Sequence, residues 1–216
     1  MYHYGDEPLT YSIRPLAKED LDQVNAIDRE AFPNQWPPPN YRQELQNKIA
    51  HYLVATDDSR MIDPPPQKPR NILLRLIGRL MPWSQLTALP RAPSPRPYIV
   101  GFSGIWMMAD EAHITNIAVR QPYQGKGIGG MLLIATIDMA WELKASMLTL
   151  EVRASNLTAQ QLYSRYGFKQ TGLRRGYYLD NREDAVIMST ESISSPEFRE
   201  LVRDLRATLA AKLNQA

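Results

Sequence analysis

The sequence predicts an α/β (α+β) fold in which a mixed, mostly antiparallel sheet is flanked by helices. The first observation is that segments with alternating apolar residues, typical of strands, interchange with segments of helical spacing. The second is that residues 98–110 and 113–120 both have a strand pattern and are joined by a short polar turn, which requires an antiparallel hairpin. Residues 173–179 and 183–189 predict a second hairpin later in the chain.

The predicted elements follow the order β-α-α-β-β-β-α-β-α-β-β within one domain over residues 10–190. The first strand is YSIRPL, and the helix after it has Leu21 and Ile27 on its apolar face. Either Ser155 or Asn156 caps the last helix of the domain. The other predicted elements are a short helix at 41–49, a strand at 51–57, a helix at 127–144, a strand at 146–153 and a helix at 157–168.

Two segments lie outside this pattern. Residues 57–97 form a long Pro/Arg-rich insertion that holds nine of the 17 prolines, and from Lys68 onwards every charged residue in it is basic. Within it, residues 71–83 predict a short amphipathic helix that could dock to a protein partner or lie on a membrane surface. A disordered or self-packed insertion is the alternative. Residues 195–216 predict an extra C-terminal amphipathic helix, which we expect to pack on its own domain.

The composition excludes several classes of protein. A net charge of +2 is too small to indicate direct binding of nucleic acid. The chain has no cysteine, which rules out a disulfide framework and a cysteine nucleophile and fits a cytoplasmic location. We expect neither a signal peptide nor a membrane span, since no apolar run approaches the ~20 residues that a span needs. His3, His51 and His113 are scattered along the chain, so we expect no metal site.

A glycine-rich stretch, QPYQGKGIGGMLL, separates a predicted strand from a predicted helix. Gly125, Gly127 and Gly130 have the spacing of a dinucleotide-binding loop, with Glu151 placed for a ribose contact. In that fold the first glycine follows the strand directly, whereas five residues intervene here, and too few residues follow for the remaining units. Glycine amides that lead into a helix still favour an anion such as a pyrophosphate. A turn that only starts the helix is the alternative.

Three stretches, NIAVRQPYQGKGIGGMLL, LTLEVRASNLTAQQLYSRYGF and RRGYYLDNREDAVIM, together resemble the GNAT acetyltransferase superfamily, and within it the RimI-type ribosomal-protein-alanine N-acetyltransferases. The resemblance covers residues 10–56 and 98–190, and the insertion departs from it. It implies the GNAT fold and acetyl-CoA as co-substrate, with backbone groups pairing the pantetheine arm and loop amides holding the pyrophosphate. The residues that it places around acetyl-CoA are Ile117, Ala118, Val119, Gln124, Gly125, Lys126, Gly127, Ile128, Gly129, Gly130 and Asn156.

The same resemblance implies two catalytic side chains. Glu151 matches the glutamate of the family's LEVR motif, which is its proposed general base. Tyr163 matches the family's LY-x-x-x-GF motif, in which the hydroxyl protonates the thiolate of CoA. Residue alternation alone favours a solvent-facing Glu151 that pairs with Arg153. Tyr163 lies on an apolar helix face, where a tyrosine more often belongs to the core.

The acceptor is also implied by the resemblance, since Trp36, Tyr177 and Tyr178 match the walls of the family's acceptor slot. Ordinary packing is the alternative for these aromatic residues. An α-amino group titrates near ~8 and a lysine near ~10.4, so a protein N-terminus is the easier acceptor. The resemblance implies the N-terminal alanine of a small-subunit ribosomal protein, with direct attack in a ternary complex. Lysine side chains, small amines or a CoA-binding module without catalysis are the rival interpretations.

Overall fold

The computed structural model describes residues 10–34, 37–63 and 94–213. Short 3-10 turns lie at Lys18–Asp20 and Gln121–Tyr123. The strands are β1 (Tyr11–Pro15), β2 (Ala50–Ile62), β3 (Arg96–Met108), β4 (Glu111–Val119), β5 (Met147–Arg153), β6 (Lys169–Tyr178) and β7 (Glu183–Ser189). The helices are α1 (Leu21–Ala31), α2 (Tyr41–Glu44), α3 (Ile128–Glu142), α4 (Leu157–Arg165) and α5 (Pro196–Leu213).

All seven described strands belong to one sheet, in the order β1-β2-β3-β4-β5-β7-β6. β4 and β5 pair in parallel, and the other neighbouring pairs are antiparallel. A parallel pair needs a crossover, and α3 supplies it between β4 and β5. The predicted fold class, a mixed and mostly antiparallel sheet flanked by helices, is confirmed.

Helices cover both faces of the sheet. On one face α3 is almost wholly buried, with eleven of its fifteen residues inside, which suits a helix that is apolar around its whole circumference. On the other face α1 and α2 cover a second cluster that includes Val24, Ile27, Tyr41 and Phe102. Tyr41 donates its hydroxyl hydrogen to buried Asp28 at 2.5 Å, so the polar groups beneath these two helices satisfy each other. The sheet is therefore packed between two layers of helices, which fix the position of the groups along its edges.

Several predicted boundaries shift in the structure. β2 continues to Ile62 and β3 begins at Arg96, because these ends of the predicted insertion pair with each other across a bulge. The helix expected at 41–49 ends at Glu44, and the one expected at 157–168 ends at Arg165, just before left-handed Gly167. The amphipathic helix predicted at 71–83 lies outside the described residues.

The predicted C-terminal helix is present as α5 and packs on its own domain. Four apolar side chains anchor it in the main core cluster, and burying each contributes about 1.5–3 kcal/mol. They are Phe198, Val202, Leu209 and Leu213. Among the helices of the described part of the chain, none is long and apolar enough to cross a membrane.

Candidate active site

The sheet opens between its two parallel strands. β4 and β5 pair only from Glu111 and Met147 as far as Ile114 and Leu150. Beyond that point β4 continues along β3 and β5 continues along β7, so among the described strands their facing edges pair with no neighbour. This separation leaves a cleft at the centre of the sheet, with the backbone of residues 115–119 along one wall. Its edge can pair with an extended ligand in the way that a neighbouring strand would.

Ile117, Ala118 and Val119, the predicted contacts to the pantetheine arm, lie on that wall. Ala118 is buried against α1, while the other two side chains are half-buried in the main core. Side chains alternate along a strand, so only backbone groups of this segment reach along the open edge. The side-chain amide of Gln124 donates to the Val119 carbonyl at 3.0 Å and ties the following loop to this wall.

The glycine loop begins where β4 ends. Gly125 and Gly127 are both left-handed, with φ of 77° and 92°, a conformation that glycine adopts without strain. A Cβ at position 125 would meet nothing within 4 Å, so one side of the loop is open. Helix α3 starts at Ile128 without a side-chain cap, which leaves the amides of its first turn and the positive end of its dipole for an outside acceptor. This open, glycine-lined loop fits a diphosphate.

The remaining loop residues differ in what they face. Ile128 is fully buried, and a Cβ at Gly129 would only touch Leu162 at an ordinary distance. A Cβ at Gly130 would lie 2.5 Å from the Tyr166 hydroxyl, so this glycine is needed for packing. Its predicted amide contact to the co-substrate stays a prediction.

Lys126 extends from the loop into solvent. Its ammonium lies 5.0 Å from the centre of the Tyr123 ring, within the range of a cation–π contact. The charge is thus placed beside the open side of the loop, and its predicted contact to phosphate stays a prediction.

Glu151 lies on β5 one residue beyond the last parallel pair. Its carboxylate contacts His113 Nε2 at 3.0 Å and the Arg174 guanidinium at 3.1 Å, and its side chain is only 10% exposed. The hydrogen bond from His113 lowers the pKa of Glu151, and the charges of His113 and Arg174 add to this, although burial acts in the opposite direction. The alternative pairing with Arg153 is wrong.

Arg153 faces a different pair of carboxylates. Its guanidinium contacts Asp180, in the turn between β6 and β7, at 2.9 Å and Glu183, the first residue of β7, at 3.2 Å. These contacts hold Arg153 away from Glu151. The partners of Glu151 are instead His113 on β4 and Arg174 on β6.

His113 connects Glu151 to a chain of hydrogen bonds along the sheet. Its Nδ1 lies 2.9 Å from the Thr149 hydroxyl oxygen, and that hydroxyl donates to Glu111 at 2.7 Å. Both ring nitrogens of His113 therefore have a polar partner, which fixes the orientation of the imidazole beside Glu151.

Local sequence patterns do not predict the contact between His113 and Glu151, because the two residues lie on different strands joined by a helix. Within the parallel pair His113 lies opposite Thr149, and Glu151 is two residues further along the same face. The register between β4 and β5 is the signal that could have revealed the pair. In the described residues, no group of three or more His, Asp or Glu side chains could hold a metal ion.

Tyr163 lies on α4 and is buried in the main core cluster. Its ring packs 5.8 Å from that of Phe168, centre to centre. Burial raises the pKa of Tyr163, and nearby Tyr178 contributes in the same direction. The core position expected from the helical pattern is thus confirmed, and the phenol stays protonated at neutral pH.

Tyr178 interacts electrostatically with both candidate catalytic groups, Glu151 and Tyr163. Burial raises the pKa of Tyr178 to about 12, with smaller contributions from Tyr177 and Glu151, while Arg153 acts in the opposite direction. The Arg153 guanidinium lies 3.9 Å above its ring. Tyr177 packs edge to face against Tyr178 at 5.3 Å and is 43% exposed, so it presents a surface beside the opening. Trp36, the third predicted slot residue, lies outside the described residues.

Asn156 begins α4. Its side-chain oxygen accepts a hydrogen bond from the Ala159 amide at 3.1 Å, so the predicted helix cap is confirmed. The residue is exposed, and its contact to the pantetheine arm stays a prediction.

A sheet that opens between parallel strands, a glycine loop at a helix N-terminus and a carboxylate in the opening together define an acyl-CoA-dependent transferase. The sequence matches the model of the acetyltransferase (GNAT) family over residues 94–168. A Bacillus subtilis relative, named as a putative alanine N-acetyltransferase of ribosomal protein bS18, is 32% identical over 82% of this chain and 93% of its own length. The chain belongs to the GNAT family and is an acetyltransferase.

Further relatives have the same type of name. N-alpha-acetyltransferase RimI of Mycobacterium tuberculosis is 29% identical over 86% of this chain and 94% of its own length. The crystal structure of the ribosomal-protein-S18-alanine N-acetyltransferase from Escherichia coli matches with a TM-score of 0.61 at 26% identity, covering 86% of this chain and 97% of that one. The resemblance to RimI-type acetyltransferases is confirmed.

Proposed function

We propose that this enzyme acetylates the α-amino group of a protein N-terminus, using acetyl-CoA, and that its acceptor is the N-terminal alanine of a ribosomal protein such as bS18. The observation that carries the proposal is the placement of the Glu151 carboxylate between His113 and Arg174, where β4 and β5 separate. The names of the relatives support the acceptor. Direct attack in a ternary complex suits a chain that has no cysteine to carry an acyl group.

The loop and the cleft wall fit acetyl-CoA. Open space at Gly125 and the uncapped first turn of α3 suit its diphosphate, and the unpaired edge of β4 suits its amide-bearing arm. When bound, acetyl-CoA supplies an activated acetyl group and a thiolate leaving group. The groups that would hold acetyl-CoA are the backbone of Ile117 and Val119, the amides of residues 124–130, and the side chains of Lys126 and Asn156.

Glu151 acts as the general base. Most of an α-amine that titrates near ~8 is protonated at neutral pH, and only the neutral amine is a nucleophile. The lowered pKa of Glu151 keeps the carboxylate ionised, so it can take this proton directly or through water. His113 and Arg174 hold the carboxylate in place.

Tyr163 acts as the general acid. A thiolate that leaves needs a proton, since thiols titrate near ~8.5. Burial raises the pKa of Tyr163, so the phenol carries its proton throughout the range in which the amine becomes neutral. Its apolar surroundings also keep bulk water away from the departing group.

The acceptor slot is proposed to lie beside Tyr177 and Tyr178, with Trp36 as a further wall. Aromatic rings supply contact area with little loss of conformational entropy, which suits a flexible peptide terminus. The exposed edge of Tyr177 gives an entering peptide a surface to pack on.

A matched set of peptides tests the acceptor. One begins with alanine, the second is the same peptide with a blocked N-terminus and one internal lysine, and the third begins with a bulky residue. We expect acetylation of the first at its α-amine, little of the third and none of the second, as located by mass spectrometry. Equal incorporation into the blocked peptide would overturn the choice of acceptor in favour of lysine.

A further inference from the structure

The last turn of α5 packs against the glycine loop, residues 124–130, at Gly127. Helix α5 runs antiparallel to α3: Phe198 near its start packs edge to face against Trp141 near the end of α3, with ring centres 6.3 Å apart. Midway, Arg206 pairs with Asp138 on α3 at 2.6 Å. The end of α5 therefore reaches the start of α3, where the loop leads into that helix.

Leucine side chains of α5 fill the space behind the loop. A Cβ at Gly127 would lie 2.9 Å from the Leu209 side chain and 3.5 Å from that of Leu213. A Cβ at Gly125, in contrast, would meet nothing within 4 Å. The loop thus has a closed side that α5 packs against and an open side that faces a ligand.

Lys212 adds a polar contact to this packing. Its ammonium donates to the carbonyl oxygen of Gly125 at 3.0 Å. In a trans peptide the carbonyl and the following N–H point in opposite directions. Holding the Gly125 carbonyl toward α5 therefore directs the amide of Lys126 away from α5, toward the open side.

The charge of Lys212 also matters because the carboxyl end of a helix carries partial negative charge. The end of α5 would otherwise oppose an anion in the neighbouring loop. An ammonium at this end offsets the negative pole and polarises the peptide whose N–H faces the ligand.

We propose that the end of α5 is a built-in support for the pyrophosphate loop, and that Lys212 is a positioning residue for the diphosphate of acyl-CoA. The inference rests on the proposed use of acetyl-CoA. It gives the extra helix a role in binding in addition to its role in the core.

The test is calorimetric binding of CoA to the full chain and to Lys212→Met. We expect the Kd to rise about fivefold, the size of one exposed charge-assisted contact. Dephospho-CoA, which keeps the diphosphate but lacks the 3′-phosphate, should show the same ratio, and Lys212→Arg should restore most of the affinity. Arg203→Met is the matched control, since Arg203 lies on the same helix and forms ion pairs with Glu200 and Asp204 of that helix. The Kd of this variant should be unchanged.

The outcomes separate this inference from the proposed function. A wild-type chain that does not bind CoA would remove the proposed co-substrate. Wild-type binding with an unchanged Kd in Lys212→Met would overturn the role of α5 and leave the co-substrate in place. An effect seen with CoA but not with dephospho-CoA would also overturn it, because Lys212 would then contact the 3′-phosphate. Equal unfolding temperatures of the Met and Arg variants exclude a folding defect as the cause.

Discussion

The two proposed catalytic groups lie in opposite environments. Glu151 on β5 is held by His113 and Arg174, and its pKa is lowered. Tyr163 on α4 packs among apolar side chains, and its pKa is raised by burial. Cations favour an ionised carboxylate, whereas an apolar pocket favours a neutral phenol.

This difference supports the proposed roles. A group that is ionised at neutral pH can accept a proton, and one that is protonated can donate it. We therefore propose Glu151 as the base and Tyr163 as the acid, because their surroundings move the two pKa values in opposite directions. Tyr178 interacts electrostatically with both groups and is neutral as well, because burial raises its pKa to about 12.

The largest expected effect comes from Glu151→Gln. The amide has almost the same shape but cannot take a proton, so we expect kcat at pH 7 to fall by about 10²–10³. Glu191→Gln is the matched control, because that glutamate also has its pKa lowered by a cation, Lys169, but lies on the surface. Steady-state kinetics with an alanine peptide measure both. A similar loss in the two variants would break the assignment of the base.

A smaller loss is expected for Tyr163→Phe. Without the hydroxyl, the leaving thiolate must take its proton from water, and we expect kcat to fall by about 10² with little change in KM. Tyr166→Phe is the control, since Tyr166 is also a buried tyrosine whose pKa is raised by burial. Single-turnover rates check it. Equal rates in Tyr163→Phe and wild type would mean that this phenol is only part of the core.

Replacement of His113 tests how much the surroundings of Glu151 contribute to its proposed role as base. In His113→Asn the hydrogen bond that contributes most to lowering the pKa of Glu151 is lost, and we expect kcat to fall about tenfold. Thr149→Val, which removes the hydroxyl on the far side of the ring, should cost less. The control is His51→Asn, because burial lowers the pKa of His51 but no contact joins it to Glu151. A tenfold loss in this control would point to general damage to the sheet.

The smallest expected effect is on stability. The folded-state pKa of Glu151 lies below its ordinary value of 4.5, so ionisation contributes stability that is present above that value and lost as the pH falls through the folded-state pKa. Wild type should therefore lose more unfolding free energy than Glu151→Gln between pH 6 and pH 3. Urea denaturation at both pH values measures this difference. Parallel losses would contradict a stabilised carboxylate.

Local patterns were enough to predict the strand order in the chain, the hairpins and α5. The family resemblance, rather than these patterns, placed Glu151 of LEVR and Tyr163 of LY-x-x-x-GF in the site, and their catalytic roles stay predictions. Local patterns could not predict the partner of Glu151, because the His113 contact depends on the register of two strands that are joined by a whole helix. Arg153 was the nearest cation in the chain, yet the β6–β7 hairpin holds it elsewhere.

The glycine loop shows the same limit. Gly125 and Gly130 belong to the same glycine-rich stretch, but a Cβ at Gly125 would meet open space, whereas one at Gly130 would meet Tyr166, the residue that follows α4. Lys212 is almost ninety residues from Gly125 in the chain, and no local pattern connects the two. Contacts of this kind follow from packing between distant elements.

The most direct test of the opposed roles is the pH dependence of kcat for wild type, Glu151→Gln and Tyr163→Phe between pH 6 and pH 9.5. As the pH rises through ~8 the acceptor amine becomes neutral without help, so the base becomes unnecessary. The ratio of wild-type kcat to that of Glu151→Gln should fall steadily across this range. The ratio for Tyr163→Phe should stay constant up to about pH 8, where the phenol keeps its proton and the leaving thiolate still needs one. Two parallel profiles, or a loss in Glu151→Gln that grows at high pH, would contradict the account.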